Sequence, residues 1–450
     1  MTAPTRLRIP HPLVLLTGCV LLAAAASYVV PAGEFDRRAD EITGRTVVVA
    51  GTYHAVERSA VNLFEAMIAL PVGMAERADV IFLVFMIGGA FMVVDESGTL
   101  RRAVAALVRS LKGRGLLVIP VVSLFFGLGG VTMNMGEEIV ALVPVLLILT
   151  TRLGFTPLLA VAMSAGSAAI GSAFSPINPF GVLIAQGVSE VQPASGWAFR
   201  TIVLVLAMLL WIGATMRVAS KSRVPGSEAD VGSAETLSAR DLSVLAIVGA
   251  TFVVSVWGLL VLQWDFDRLS ASFFMMGVVV GLVSKMGVGG TADAYVRGFR
   301  EMAYAALLIG FAGAITVVLA EGRIIDTMVN GIFVPLEGLP RLVSAIGMMV
   351  AQAALHVPVP SNSGQAVLTM PVLVPLSDLL GLSRQVTILA YQYGGVLCDL
   401  VAPTNGALLA VLAAAGVRYD DWLRYALPLF GALLALGAVA IATGIAVGLS

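Results

Sequence analysis

Charge is what this sequence has least of. Asp, Glu, Lys and Arg make up 12% of its 450 residues, where a soluble domain carries about 25%. The 27 basic and 28 acidic residues leave a net charge of −1, which removes any electrostatic case for binding nucleic acid. Cysteine is as sparse: Cys19 and Cys398 lie far apart in apolar segments, so no disulfide framework is expected. His11, His54 and His356 are the only histidines. They supply neither a zinc-binding cluster nor a Ser–His pair with a base partner, so the chain is not expected to be an enzyme. Apolar residues, by contrast, are 58% of the total. Runs of that density describe an all-α polytopic membrane protein with the lipid bilayer as its partner.

Two polar interruptions fall inside otherwise apolar sequence: Pro358-Val359-Pro360-Ser361-Asn362-Ser363-Gly364-Gln365 and Ala402-Pro403-Thr404-Asn405-Gly406. In hydrocarbon an unpaired backbone N–H or C=O costs several kcal/mol, so such breaks survive only where protein or a water-filled cavity covers them. A second pair lies upstream, Asn134-Met135-Gly136-Glu137-Glu138 and Ser175-Pro176-Ile177-Asn178-Pro179-Phe180-Gly181. Pro144, Gly154, Pro176 and Asn178 fall on Pro371, Gly381, Pro403 and Asn405 at an offset of 227, and Asn134 and Gly136 fall on Asn362 and Gly364 at 228. Gly89, Gly98 and Arg200 fall on Gly313, Gly322 and Arg424 at 224. Pro, Gly and Asn in register over more than a hundred residues identify an internal repeat. Paired interruptions of this kind point to a transporter's binding site.

In chain order, residues 1–78 read as a first transmembrane helix, 12–31, retained rather than cleaved, then an external segment with a short strand at Val47-Val48-Val49 and an interfacial helix over 61–77. Residues 79–217 form the first repeat, opening on a span over 79–97. The basic loop with Arg101, Arg102, Arg109, Lys112 and Arg114 is assigned to the cytoplasm, and the N-terminus with it. Residues 218–240 read as a cytoplasmic linker, 241–269 as a connecting helix and external loop, and 270–450 as the second repeat, with spans at 270–288 and 303–321. Counting crossings gives the two repeats opposite orientations, each with a re-entrant hairpin and a broken transmembrane helix.

The sequence from about Asp79 onward resembles the YfcC-type membrane proteins of bacteria, related to the anaerobic four-carbon dicarboxylate carriers of the ion transporter superfamily. The resemblance rests on Met135-Gly136-Glu137-Glu138, Ile177-Asn178-Pro179-Phe180 with Ala185-Gln186-Gly187, Ser363-Gly364-Gln365-Ala366, and Pro403-Thr404-Asn405-Gly406. It implies a secondary transporter of the bacterial inner membrane, working by an elevator-like motion and often dimeric. Its cargo would be an amino acid, a basic one by antiport, or a dicarboxylate. It also implies that hairpin tips and breaks hold substrate and Na⁺, which places candidate Na⁺ ligands at Asn134, Asn178, Asn362 and Asn405, with Ser363 and Thr404 beside them.

The residues themselves sharpen this list. Glu137 and Glu138 at membrane depth would be a functional feature by default, as a proton carrier, a Na⁺ ligand or the counter-charge of a cationic cargo. Asn178 and Asn405 can coordinate an ion or cap a half-helix. Asp399 breaks the repeat, since its counterpart is Ser172. Gly136, Pro179, Ser361, Gly364 and Gln365 complete the candidate substrate and ion site. His356 is expected to be hydrogen-bonded in the membrane interior, Gln186 and Gln392 to bond between helices, and Asp95, Glu96 and Glu321 to mark helix ends. With no Lys or Arg expected in the core, the acids favour an amino-acid cargo, with no cofactor beyond Na⁺ or H⁺ as coupling ion. A channel would need continuous polar stripes or charge rings, and here polarity is confined to four breaks.

Overall fold

The computed structural model describes residues 11–39, 46–49, 51–100, 102–103, 106, 115–222, 237–262, 264–336 and 338–449. Most of the expected cytoplasmic linker, residues 223–236, and most of the basic loop lie outside them. Eight helices among the described residues are long and apolar enough to cross a membrane.

Helix α1, Pro12–Val29, starts on a proline that needs no partner for its missing N–H. Two short antiparallel ladders follow: β1, Gly33–Glu34, pairs with β4, His54–Ala55, and β2, Arg37–Ala39, pairs with β3, Thr46–Val48, where a strand was expected. Helix α2, Leu63–Glu76, opens on a capping box between Asn62 and Glu65. Helix α3, Ala78–Glu96, continues it with only Arg77 between. The first hairpin is α4, Val118–Met133, and α5, Glu138–Arg152. The first broken helix is α6, Pro157–Ala173, carrying a π turn at Ala162–Gly166, and α7, Val182–Val188. Pro176 and Pro179 stop the helical ladder between them. Helices α8, Trp197–Ser222, α9, Ala239–Leu262, and α10, Phe266–Val283, complete this part.

The second half opens differently from the expectation. Instead of a span over 303–321 there is one helix of 35 residues, α11, Gly287–Glu321, about 52 Å long at 1.5 Å per residue. A short amphipathic helix, α12, Ile325–Phe333, follows and is tied to the β-ladders by Arg37, 2.9 Å from Asp326. The second hairpin is α13, Arg341–His356, and α14, Asn362–Leu380. The second broken helix is α15, Arg384–Tyr391, with a π turn at Gln392–Val396, and α16, Gly406–Ala414. Helix α17, Tyr419–Ala446, ends the chain. A π turn in each broken helix strengthens the likeness of the halves. Such turns recur at functional sites.

Helices α2 and α3, joined end to end, lie antiparallel against α11. Gly73 meets Gly310 and Ala314 at one end and Gly88 and Gly89 meet Gly298 at the other. The backbones touch: a Cβ on Gly298 would stand 2.6 Å from the Gly89 Cα. α2, expected as an interfacial helix, is thus packed into this pair. The other body gathers the hairpins and broken helices, with α4 against α6 and α13 against the π turn after α15. Trp211 of α8 and Trp422 of α17 close it from behind, their rings 6.2 Å apart and edge-on.

Candidate functional site

The four interruptions converge. Asn134 ends α4 in the left-handed conformation, φ 55°, which asparagine tolerates better than most residues. Its Oδ1 accepts from the Ser172 hydroxyl of the first broken helix and, at 3.1 Å, from Asn362 Nδ2 of the second hairpin. The tips of the two hairpins therefore touch, although 228 residues separate them. Asn362 Nδ2 also donates to Asp399 Oδ2 at 2.9 Å, and Asn405 Nδ2 to Asp399 Oδ1 at 2.7 Å. Asn134, Ser172 and Asn178 in one half thus match Asn362, Asp399 and Asn405 in the other. At the centre the polarity reverses: Ser172 donates to its tip asparagine, whereas Asp399 accepts from its own.

A directed hydrogen-bond chain stands behind Asp399. Gln365 Nε2 donates to the Gln352 carbonyl at 2.8 Å, which turns Gln365 Oε1 toward His356 Nδ1 at 2.7 Å. An acceptor there requires Nδ1 to carry hydrogen. His356 Nε2 then lies 2.9 Å from Asp399 Oδ1, and two such acceptors approach closely only with a proton between them. His356, expected to be hydrogen-bonded, is completely buried.

Between hairpins and breaks lies a cavity of about 300 Å³. Its polar and charged lining comprises Asn134, Glu137, Glu138, Ser172, Ser361, Asn362, Ser363, Asp399, Asn405 and one cation, Arg77. Glu138 Oε2 accepts from the Gly136 N–H at 3.0 Å, fixing the first tip. Arg77 overturns the expectation of a core without Lys or Arg. So does Arg200, completely buried on α8, whose guanidinium donates to Gln392 and, at 2.7 Å, to Gln385. In both cases a long stem carries the charge inward from a helix end, which hydropathy does not register.

The sequence profile of the C4-dicarboxylate anaerobic carriers matches residues 9–446. The chain belongs to that family. Over 97% of its length and 97% of the relative's, this carrier is 33% identical to a protein of Escherichia coli (strain K12) named "Putative basic amino acid antiporter YfcC". It is 29% identical to an uncharacterized protein of Haemophilus influenzae, over 88% of this chain and 81% of that one. Among solved structures, the YdaH transporter of Alcanivorax borkumensis aligns with a TM-score of 0.42 and 18% identity, covering 98% of this chain and 99% of that one. MtrF of Neisseria gonorrhoeae aligns with a TM-score of 0.44 and 17% identity, covering 96% and 94%. The family is one of transporters, not enzymes, and the carrier is a multi-span membrane protein acting on small molecules.

Not every expected site residue of the carrier faces the cavity. Asn178 is completely buried: its Oδ1 accepts the N–H groups of Phe180 and Gly181, both at 2.9 Å, and its Nδ2 donates to the Gly130 carbonyl at 2.7 Å. Pro179 lies beside it in the break. Gly364 sits in the first turn of α14, its N–H donating to Ser361 Oγ at 3.2 Å. Gln365 belongs to the chain behind His356, and the Thr404 hydroxyl donates to the Val357 carbonyl. Gln186 closes a local loop by accepting from the Ala194 N–H at 2.8 Å. Of the four asparagines proposed to hold Na⁺, Asn405 caps α16 through the Leu408 N–H. Asn362 is the one whose buried Oδ1 accepts nothing. Ser172 and Arg77 were missed as lining residues. For Ser172 the signal existed, its register with Asp399.

Proposed function

We propose that the protein is an elevator-type secondary transporter of the bacterial inner membrane that carries an amino acid, a basic one by exchange. The observation that supports this most directly is the cavity itself. Both halves contribute their interruptions to it, and its charged lining is Glu137, Glu138 and Asp399 against Arg77 alone. A volume near 300 Å³ suits a small metabolite. An excess of carboxylates favours a cargo with more positive than negative charge, in agreement with the name of the E. coli relative.

The elevator reading is supported by the grouping of helices. Hairpin tips and breaks bond to one another by side-chain hydrogen bonds, while the long α2–α3 and α11 pair meets them by packing, as where Gly406 lies against Ile309 and Ala312. The inverted orientation of the repeats, with the N-terminus in the cytoplasm, belongs to the same proposal. Na⁺ is assigned to Asn362, whose Nδ2 donates to Asp399 and whose buried Oδ1 is left without a partner, an oxygen of the kind a hard monovalent cation takes. When bound there it would supply positive charge beside the acids. The proton between His356 and Asp399 is the other candidate for coupling.

A second reading follows from the family itself: exchange of a four-carbon dicarboxylate, with coupling ions offsetting the acids. Counterflow in proteoliposomes separates the two. Vesicles are loaded with lysine, arginine, ornithine, neutral amino acids, succinate or malate, and uptake of the labelled counterpart is followed with and without Na⁺. Exchange of basic amino acids that Glu137→Gln abolishes is the expected result. Na⁺-dependent dicarboxylate exchange would sink the amino-acid reading and reassign the acids to ion coupling.

A further inference from the structure

Arg77 stands apart from the rest of the cavity lining. It is the single residue between α2 and α3, with φ −107° and ψ 17°, where the paired helix changes course. Its stem rests on α11, since a Cβ on Gly313 would meet the Arg77 Cγ at 3.0 Å. The contacts of Gly73 with Gly310 and of Gly88 with Gly298 bracket it, so it lies near the middle of the long helix pair. Among the described residues its guanidinium makes no hydrogen bond or ion pair, although it lines a cavity with three carboxylates.

The repeat makes this position still more unusual. At the offset of 224, residues 63–96 fall on 287–320, the whole of α2 and α3 on nearly the whole of α11, and Arg77 falls on Glu301. Glu301 lies inside an unbroken helix. The change of course and the cation therefore occur in one half only, at the cavity, which is where an asymmetric cargo needs them. A guanidinium left without a carboxylate partner in a pocket has donors to spare, and its planar fork matches a carboxylate in bidentate fashion.

We infer that Arg77 is the specificity-determining residue of the site and holds a carboxylate of the cargo, while the acids of the same cavity face its cationic end. This rests on the transport reading above and deepens it: the site takes a molecule carrying both charges, such as an α-amino acid, and rejects the corresponding amine. Without a carboxylate, the amine would leave Arg77 as an uncompensated neighbour of its own positive charge.

The test compares lysine with cadaverine, the same chain without its carboxylate, in counterflow by the full-length wild type, Arg77→Gln and Arg77→Lys. The wild type is expected to exchange lysine and to take cadaverine poorly. Arg77→Gln should raise the half-saturating lysine concentration on the order of ten- to a hundredfold, the worth of a charge-assisted hydrogen-bond pair, and leave cadaverine unchanged or improved. Arg77→Lys should fall between them and carries the comparison if Arg77→Gln does not fold. Equal weakening of lysine and cadaverine, or no effect on either, overturns the inference and makes Arg77 a counter-charge to Glu137. If the wild type exchanges succinate and not lysine, the amino-acid reading fails by itself. Arg77 is then judged on succinate against succinamate, where a lost preference supports the inference and equal loss overturns it. Wild-type protein that exchanges neither class removes both.

Discussion

Asp399 accepts hydrogen bonds from three elements, through His356 at the end of α13, Asn362 at the start of α14 and Asn405 before α16. A carboxylate held in that way is both a charge and a structural hub, and two substitutions separate the roles. Asp399→Asn keeps the shape but turns one accepting oxygen into an N–H₂ donor and removes the shared proton, and should lower exchange at least tenfold at a modest cost in thermal stability. Asp399→Ala leaves three donors without an acceptor and should cost a further ~1–3 kcal/mol, seen as a lower unfolding temperature. Full exchange by Asp399→Asn would remove the residue from the transport mechanism. The asparagines separate similarly. Asn178→Ala leaves two backbone N–H groups of the break without their acceptor, should cost about 1–3 kcal/mol of stability and should leave the Na⁺ response of transport intact, whereas Asn362→Ala should shift that response. The reverse pattern would make Asn178 the ion ligand. At this scale the sequence was half legible. Matching Asn residues marked the tips and breaks, but whether an amide oxygen faces a cavity or a backbone N–H is decided by a rotation that spacing does not encode.

Helix ends were easier to read than helix lengths. Pro176, Pro179 and Pro403 announce breaks because proline cannot continue the ladder, and those breaks lie where the sequence indicated. The first half of α11 was not legible. Gly289 and Gly290 are poor helix formers, and Asp293, Arg297, Arg300 and Glu301 interrupt the apolar run. Tertiary packing overrides those preferences, because Tyr295 and Gly298 lie against α3 and Arg297 reaches Glu96. The same packing gives an element-level prediction. Gly298→Val forces two backbones apart and should destabilise by more than the ~1–3 kcal/mol of ordinary overpacking. Gly249→Ala on α9, with nothing within 4 Å of the added carbon, should be neutral or stabilise by up to about 1 kcal/mol. Thermal unfolding in detergent reads both, and a wild-type melting temperature for Gly298→Val would contradict the tight crossing of α3 and α11.

At the scale of the whole molecule, the internal repeat carried most of the fold, because four interruptions in register fix where hairpins and broken helices must lie. It did not reveal which helices move, since movement depends on which bodies share hydrogen bonds and which only touch. The hairpin tips and breaks share them: Asn134 with Asn362, and Gln392 with the Ser175 carbonyl at 3.0 Å. Helices α3, α10 and α11 are joined to one another through small residues, aromatic rings, the Tyr295 hydroxyl on the Phe274 carbonyl and Arg297 on Glu96. If the first group travels as a unit past the second, distances within it stay fixed while distances to the second change. Leu128 on α4 and Leu379 on α14 are 62% and 75% exposed, and Met275 on α10 is 64% exposed, so spin labels at these positions disturb little packing. In protein freed of Cys19 and Cys398, the 128–379 distance should keep one distribution with and without cargo or Na⁺, while the 128–275 distance should shift or split. A 128–379 distance that changes as much as 128–275 would mean that the hairpins move independently, and transport would then be gated by the tips rather than carried by one sliding body.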